Sequence, residues 1–595
     1  MSARDADPGS PRLAVSATGT LAAFNRAGVL DAADVHVAQT LGWLAGETAE
    51  PALLAAALAV RAQRSGSVCL PLARGRDFAA SLERGVEAPD LDGLAWPDPT
   101  AWPTALEVSP LVCGAAGTTP PLCLHEGQLY LARAWADQER VRRGLLERWR
   151  AAPPRPDEAR LADAIRSRLG IDDVLASPGG RALWTAGRSW TTVIAGGPGT
   201  GKTTLVGDLV RVLTDIAPVP LRVALAAPTG KAASRLADVA AGAGPDVRSG
   251  TLHRLLGSRG PGRGFRHGPA NPVPFDIVIV DEMSMVSLTL MSSLLDALAP
   301  TTRLVLVGDP DQLSSVDAGA VLADLVAADL TRTRGSPEPA TVVLEHTWRY
   351  TGAIAVLADA VRRGDAAATI EVLTSHDTQV QYVPADPGLA GLDTLPDLRE
   401  AVRDQASAVR AALAADDPGA ALRALDTHRL LCAHREGPYG AAPWGRAVEA
   451  LARTVAGAHE TTPWYRGRAV LMTQNQPDWG ASNGDQGLVW RALPEPTVVF
   501  GEAERPATAP LALLEGLQPL YAMTVHKAQG SQYAWITLVL PPPDSPLLVR
   551  ELVYTALTRA RQGVRVLGTP EAVAQAVRTP AWRASGLARR LVEPD

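Results

Sequence analysis

Gly196-Gly197-Pro198-Gly199-Thr200-Gly201-Lys202-Thr203 follows the apolar run Thr192-Val193-Ile194-Ala195 and opens a stretch compatible with a helix. Few segments of this length restrict a fold so tightly. The glycines let successive backbone N–H groups turn inward around an anion, so the segment specifies a strand, a phosphate-cradling loop and a helix. A strand that feeds a helix in this way belongs to a parallel sheet. The expected ligand is a nucleoside triphosphate, ATP with Mg2+. Gly196, Gly197, Pro198, Gly199, Thr200, Gly201, Lys202, Thr203 and Thr204 form its binding loop; Lys202 reaches the β and γ phosphates and the Thr203 hydroxyl ligates the metal.

Strand and turn signals alternate with helical stretches from about 157 to 350. Strands are predicted at Thr191 to Ala195, Leu221 to Ala226, Phe275 to Val280 and Arg303 to Val307, an α/β pattern with a parallel sheet. Ile277-Val278-Ile279-Val280 runs into Asp281-Glu282, which suits a carboxylate for magnesium (Asp281) beside one that orients and deprotonates a water (Glu282). Leu304 to Val307 runs into Gly308-Asp309-Pro310-Asp311-Gln312, placing the Gln312 amide where it could sense a γ-phosphate. After a linker at Ala151 to Pro156, these segments define a first domain at about 157–350. A second α/β unit spans 351–595, with strands at Ala469 to Thr473, Trp535 to Leu540 and Val564 to Leu567. Its stretch at 463–521, rich in Pro, Gly and short β-like runs, reads as an inserted small barrel.

Residues 1–150 hold apolar helices such as Pro51 to Val60, two short strands about His125-Glu126-Gly127 and a charged helix from Ala132 to Arg150, with no catalytic constellation. With 595 residues the chain has room for several cores. Its four cysteines, Cys69, Cys113, Cys123 and Cys432, form neither a disulfide framework nor a CxxC zinc pair, and the polar N-terminus lacks a signal-peptide core. A reducing cytoplasm is the expected setting, with no membrane role. The net charge of −6 does not by itself point to a polyanionic partner, so any nucleic acid must lie in a locally basic channel.

The order of these segments resembles the RecD family of superfamily 1 helicases over nearly the whole chain. The resemblance is carried by Ala227-Pro228-Thr229-Gly230-Lys231-Ala232-Ala233, Thr251-Leu252-His253-Arg254-Leu255-Leu256-Gly257, Asp281-Glu282-Met283-Ser284-Met285 and Gly308 to Leu313. Tyr521 to Ser531, with Thr524-Val525-His526-Lys527-Ala528-Gln529-Gly530, and Val553-Tyr554-Thr555-Ala556-Leu557-Thr558-Arg559-Ala560-Arg561 complete it. It implies two RecA-like parallel-sheet domains with ATP between them. Lys202, Asp281, Glu282 and Gln312 would act from the first, and Arg349 and Arg559 from the second, as charged forks on the γ-phosphate. Thr229, Lys231, Thr251, His253, Thr524, His526 and Gln529 would contact the phosphates of single-stranded DNA without regard to sequence.

The resemblance further implies 5′ to 3′ movement, unwinding of double-stranded DNA in repair and recombination, and a heterotrimer with RecB-like and RecC-like subunits docked on residues 1–150. No nuclease-type cluster of carboxylates and lysine stands out, which leaves cleavage to a partner. A stand-alone helicase and a mainly structural ATP-binding subunit are the alternatives. The repeated hairpin glycines that accompany the former are missing from residues 1–150, and Glu282, Gln312, Arg349 and Arg559 argue against the latter. The chain departs from the family pattern in having no glutamine between Asp172 and Trp190 to read adenine; Trp184 and Trp190 suit either stacking in its place or burial in a core. Finally, Ser258 to His267 interleaves Arg259, Arg263, Arg266 and His267 with Phe265, as a strand-separating pin would.

Overall fold

The structure, a computed structural model, describes residues 10–81, 91–113, 119–151, 153–154, 156–242, 246–260, 262–328, 340–344, 352–458, 463–492 and 494–593. The N-terminal region is mainly helical around a small antiparallel sheet of β1 (Cys69–Pro71), β2 (Leu122–His125) and β3 (Gln128–Leu131), in the order β1-β3-β2. The alanine-rich helix Glu50–Arg64 presents the fully buried Leu54 and Leu58 to the core and packs on β1 and β3.

The first large sheet contains β4 (Thr191–Gly196), β5 (Val223–Ala227), β6 (Val247–Thr251), β7 (Ile277–Val280), β8 (Arg303–Gly308) and β9 (Thr341–Leu344), all parallel, in the order β6-β5-β7-β8-β4-β9. Both faces are covered, which is why β5 and β7 are apolar without interruption. Ile194, Ile277 and Ile279 enter one core, with the helix Lys202–Ile216. Val193, Val278 and Val280 enter the other, which is continuous with Phe24, Leu58 and Leu145 of the N-terminal region.

That continuity has polar pins. The helix Ala132–Arg150 packs on Leu288–Asp296, where Thr289 Oγ1 donates to Asp137 at 2.9 Å. At its end, Arg148 Nε donates to Thr191 Oγ1 at 2.8 Å and Trp149 Nε1 to the Thr191 carbonyl at 3.1 Å, so it grips the start of β4.

The second large sheet begins with β10 (Val380–Val383) and β11 (His428–Cys432). The chain then leaves it for an antiparallel sheet of β12 (Ala469–Met472), β13 (Gln486–Arg491), β14 (Thr497–Glu502), β15 (Arg505–Pro510) and β16 (Leu517–Pro519), in the order β15-β14-β13-β12-β16. It returns through β17 (Ala522–Thr524), β18 (Tyr533–Val539) and β19 (Ala560–Leu567), giving the parallel order β10-β19-β18-β11-β17. Alternation divides the insertion into two faces: Val470, Met472, Val498 and Phe500 make its own core, while Leu471, Leu488 and Val499 join that of the second large sheet.

β6, β9, β10, β11 and β17 were not among the predicted strands. β6 reads Val247-Arg248-Ser249-Gly250-Thr251 because it is a partly exposed edge, and β11 starts with the polar pair His428-Arg429. Among the described residues, no helix is long and apolar enough to cross a membrane, and all four cysteines are free.

Candidate nucleotide and nucleic-acid site

β4 ends at Gly196, and the chain turns through Gly199 (φ 78°) and Gly201 (φ 84°) before the helix Lys202–Ile216. Both angles are left-handed and resist a side chain, so backbone geometry demands glycine there. Thr200 Oγ1 donates to the Gly197 carbonyl at 2.9 Å, and Lys202 Nζ donates to the carbonyls of Gly196 and Gly197 at 2.6 and 2.7 Å. The ammonium and the partial positive charge of the helix N-terminus therefore reinforce each other. Thr203 is partly exposed and Thr204 exposed in the same first turn.

Asp281 and Glu282 leave β7 directly. Asp281 Oδ1 accepts the Glu282 N–H at 2.8 Å, and Glu282 sits at φ 54°. A glutamate in that conformation stores about 1–3 kcal/mol of strain, which the surrounding fold must hold in place. Burial, then the neighbouring Glu282 charge, raises the Asp281 carboxyl above the usual range, while Lys202 and Arg235 pull it down.

Asp309, to which the sequence reading gave no role, lies at the centre of the arrangement. Its buried carboxyl is lifted to about 6 by burial, against the pull of Lys202. Gln312 Nε2 donates to Asp309 Oδ2 at 2.8 Å and the Tyr554 hydroxyl donates to the same oxygen at 3.3 Å. Tyr554 also abuts the phosphate loop, its hydroxyl 3.1 Å from where a Cβ on Gly197 would stand. Gln312 Oε1 is buried without a hydrogen-bond partner among the described residues. A buried acceptor of this kind costs about 1–3 kcal/mol unless a ligand or water meets it, so the pocket suits an incoming donor.

The second large sheet closes over this edge. The Leu313 N–H donates to Thr555 Oγ1 at 2.8 Å, and Gln529 Nε2 donates to the Leu313 carbonyl at 2.8 Å. Gln529, expected to meet DNA phosphates, is instead buried with its amide bound to Leu313, because the two sheets approach there more closely than motif order reveals. Tyr554 and Thr555 were also missed; the signal was their place in the segment that ends at Arg559. Arg559 is buried and donates to the Thr555 carbonyl (3.1 Å) and Thr558 Oγ1 (3.2 Å), within its own helix end. Arg349 lies outside the described residues.

Thr229, Thr251 and Thr524 each cap a helix that begins near the C-terminal end of a parallel strand. Their hydroxyl oxygens accept N–H groups from Ala232 (3.3 Å), Arg254 (3.2 Å) and Lys527 (3.4 Å), leaving each O–H proton to donate elsewhere. Thr229 Oγ1 stands 3.2 Å from where a Cβ on Gly530 would lie, so the Thr229 cap of the first sheet adjoins the turn that follows the helix Val525–Ala528 of the second. The Lys231 ammonium lies 5.7 Å over the Tyr533 ring, His253 is exposed with its ring 5.8 Å from Phe265, and His526 is partly exposed. Phe265 belongs to a tight hairpin bridged at Ser258 and Phe265, with Arg259, Arg263 and Arg266 exposed on it. Of the two candidate stacking rings, Trp184 is held by Arg188 (5.2 Å) and Trp190 by Arg303 (5.8 Å). Both rings are partly exposed.

Comparison with known proteins places these elements. Residues 26–130 match the family described as RecBCD enzyme subunit RecD, N-terminal domain; residues 181–383 match an AAA domain; and residues 519–567 match the UvrD-like helicase C-terminal domain. The chain is 42% identical over 598 residues to RecBCD enzyme subunit RecD of Mycobacterium tuberculosis, covering 97% of this chain and 98% of that protein. It is 43% identical over 582 residues to the Mycolicibacterium smegmatis protein of the same name, covering 95% and 98%. Against the ATP-dependent RecD2 DNA helicase of Deinococcus radiodurans it is 34% identical over 469 residues, covering 76% of this chain and 56% of that one. Among solved structures, a Pif1 helicase from Bacteroides in complex with ADP-AlF3 and ssDNA aligns with a TM-score of 0.37 at 16% identity, covering 63% of this chain and 88% of that one.

Proposed function

The chain belongs to the RecD family, and on that premise we propose that it moves 5′ to 3′ along single-stranded DNA as the ATP-dependent helicase motor of a RecBCD-type helicase–nuclease. RecB-like and RecC-like subunits complete the complex, and nuclease activity belongs to a partner. Residues 1–150 are the docking domain, 157–350 and 351–595 the two RecA-like domains, and 463–521 the inserted barrel-like module.

One observation supports this reading above the others: the helix Arg550–Leu557 of the second sheet reaches the edge of the first that carries the phosphate loop, through Tyr554 on Asp309 and Thr555 on Leu313. A ligand held there lies between two bodies that can separate. ATP seats on Gly196 to Thr204, with the Lys202 ammonium on its β and γ phosphates. Thr203 and Asp281 would hold Mg2+, whose charge would screen the charge that builds on those phosphates. Glu282 orients the attacking water and takes its proton, while Gln312, anchored by Asp309, presents its amide oxygen. Arg559 and Arg349 reach the γ-phosphate when the cleft rearranges, since Arg559 must first leave Thr555 and Thr558. Thr229, Lys231, Thr251, His253, Thr524 and His526 hold the DNA backbone, and hydrolysis alters the spacing between the two sets of contacts.

Lys202→Gln tests the proposal in the assembled complex, with any partner motor inactivated. Single-turnover unwinding of a duplex with a 5′ single-stranded tail should be lost while assembly is preserved. Equal unwinding by wild type and variant would leave a structural subunit; preference for a 3′ tail would overturn the polarity.

A further inference from the structure

Three segments distant in sequence meet at one carbonyl. Gly66 follows the helix Glu50–Arg64 at φ 87°, and its oxygen accepts the Gly319 N–H at 3.0 Å and Arg583 Nη1 at 3.0 Å. A Cβ on Gly66 would overlap the Arg583 guanidinium, so the junction depends on bare backbone.

Each arriving segment has its other end at the nucleotide edge. Gly319 closes the loop that starts at Asp309 and Gln312, whose Leu313 is held by Thr555 and Gln529. Arg583 lies on the C-terminal segment that leaves the second sheet after the helix Pro570–Arg578. That segment is first fastened to the helix Arg550–Leu557: Arg550 N–H donates to the Thr579 carbonyl at 2.8 Å, and Glu551 Oε2 accepts the Ala581 N–H at 2.7 Å. The same eight-residue helix carries Tyr554 and Thr555 at the cleft, so its ends are about 12 Å apart on one rigid body.

On either side of Arg583 the segment is bound to the N-terminal region and the first sheet. Trp582 lies edge-on to Phe78 (5.6 Å) beneath Arg74 (4.3 Å), and the Ala584 carbonyl accepts the Val68 N–H at 2.7 Å. Ser585 Oγ donates to Asp324 at 2.8 Å, on the helix that follows Gly319, and Arg590 pairs with Glu139 at 2.9 Å. The bonds form a closed circuit: nucleotide loop, second-sheet helix, C-terminal segment, N-terminal region, and back to the loop through Gly319.

The geometry points to residues 579–593 as a strap that transmits nucleotide-dependent movement of the second sheet to the N-terminal domain at Gly66. This rests on the assignment of the Asp309–Leu313 edge to nucleotide. When the helix Arg550–Leu557 shifts relative to Asp309, the strap and the loop pull on one carbonyl from two directions. Coupling is reciprocal, so whatever engages the N-terminal domain also biases the nucleotide edge.

Amide hydrogen exchange read by mass spectrometry on the assembled complex tests this, with and without a non-hydrolysable ATP analogue. In wild type the analogue should change exchange at Val68 and Gly319 within the usual range of coupling, about 5- to 150-fold. The change should vanish in Lys202→Gln. In the double variant Arg583→Met, Ser585→Ala it should vanish while the analogue, added to saturation, still occupies the phosphate loop. Binding of the analogue to wild type with no change at Val68 and Gly319 overturns the strap alone, as does persistence of the change in the double variant. Failure of wild type to bind the analogue at this loop overturns the functional reading and the strap with it.

Discussion

The two parallel sheets place polar groups differently. The first keeps its interior strands apolar, as in Ile277-Val278-Ile279-Val280, and holds its charges at the strand ends, at Lys202, Asp281, Glu282 and Asp309. The second buries a cation and a histidine inside β11. Arg429, 2% exposed, donates to the Leu520 carbonyl (2.7 Å), the Leu425 carbonyl (3.1 Å) and Gln486 Oε1 (3.0 Å), and lies 5.0 Å over the Tyr533 ring. His428 shares a 2.9 Å bond with Thr537, and burial, followed by Arg565 and Arg429, pushes it down to about 3, so it is neutral. Gln486 lies on β13 and Leu520 just past β16, so Arg429 ties the insertion to the sheet that carries it. One sheet is built to present charge to a ligand, the other to hold a passenger domain.

The largest test concerns what the apolar sheet leans on. If the face carrying Val193 and Val278 is a shared core, a chain that starts at Asp157 loses Leu145, Trp149 and the grip of Arg148 on Thr191. Such a fragment should be insoluble on expression, as deletion of the buried partner of a sheet face exposes a contiguous apolar surface. The helix Ala132–Arg150 therefore belongs to both regions. A soluble, monomeric fragment from Asp157 that binds nucleotide, checked by sedimentation and a fluorescent ATP analogue, would show that the first sheet stands alone.

Next in size is Arg559→Ala, which asks whether the second sheet contributes charge to chemistry as well as to architecture. DNA-stimulated ATP turnover should fall about 10³-fold with nucleotide affinity nearly unchanged, as for a group that acts on transition-state charge. Near-normal turnover would confine Arg559 to its bonds with Thr555 and Thr558 and make the second sheet purely architectural.

The same contrast decides what could be read in advance. Uninterrupted apolar strands ending in Gly, Asp or Glu announce themselves, so β4, β7, β8 and the loop after β4 are legible within a residue or two, as is the helix Ala132–Arg150. β11 is not, since His428-Arg429 looks like a surface pair and becomes interior only once the insertion supplies its carbonyls. In the site, Asp309 and Tyr554 lie 245 residues apart and Gln529 and Leu313 216 apart. No local spacing encodes such pairs. Thr229, Thr251 and Thr524 were legible through the family resemblance alone, since β6 and β17 carry no strand signal of their own, and their capping role depends on helix starts that fix only with the fold.

Arg429→Met measures how much the passenger domain depends on that buried cation. Methionine fills much of the volume but leaves two carbonyls and one amide oxygen without their donor, so the variant should lose about 2–3 kcal/mol. Limited proteolysis should then cut first between 463 and 521, with the phosphate loop still able to bind nucleotide. Unchanged protease resistance would mean that the apolar contacts of Leu471, Leu488 and Val499 suffice.

The smallest effect asks how the first sheet's side tolerates a buried charge that has no ligand to serve. Asp324, on the helix after Gly319, accepts the Ser585 hydroxyl at 2.8 Å, and burial lifts its carboxyl from 3.8 to about 7. In the unfolded chain the proton leaves near pH 4, while the folded chain holds it until about 7. Between those values the native state binds more protons than the unfolded state, so this group lowers stability as pH rises from about 4 to about 7 and adds no further slope above that. Asp324→Asn keeps an acceptor for Ser585 and removes the titration. Its melting temperature relative to wild type should therefore climb with pH, ending about 2–4 °C higher at pH 8 than the offset seen at pH 4.5. An offset that stays constant from pH 4.5 to pH 8 would mean that the carboxyl titrates as if in water.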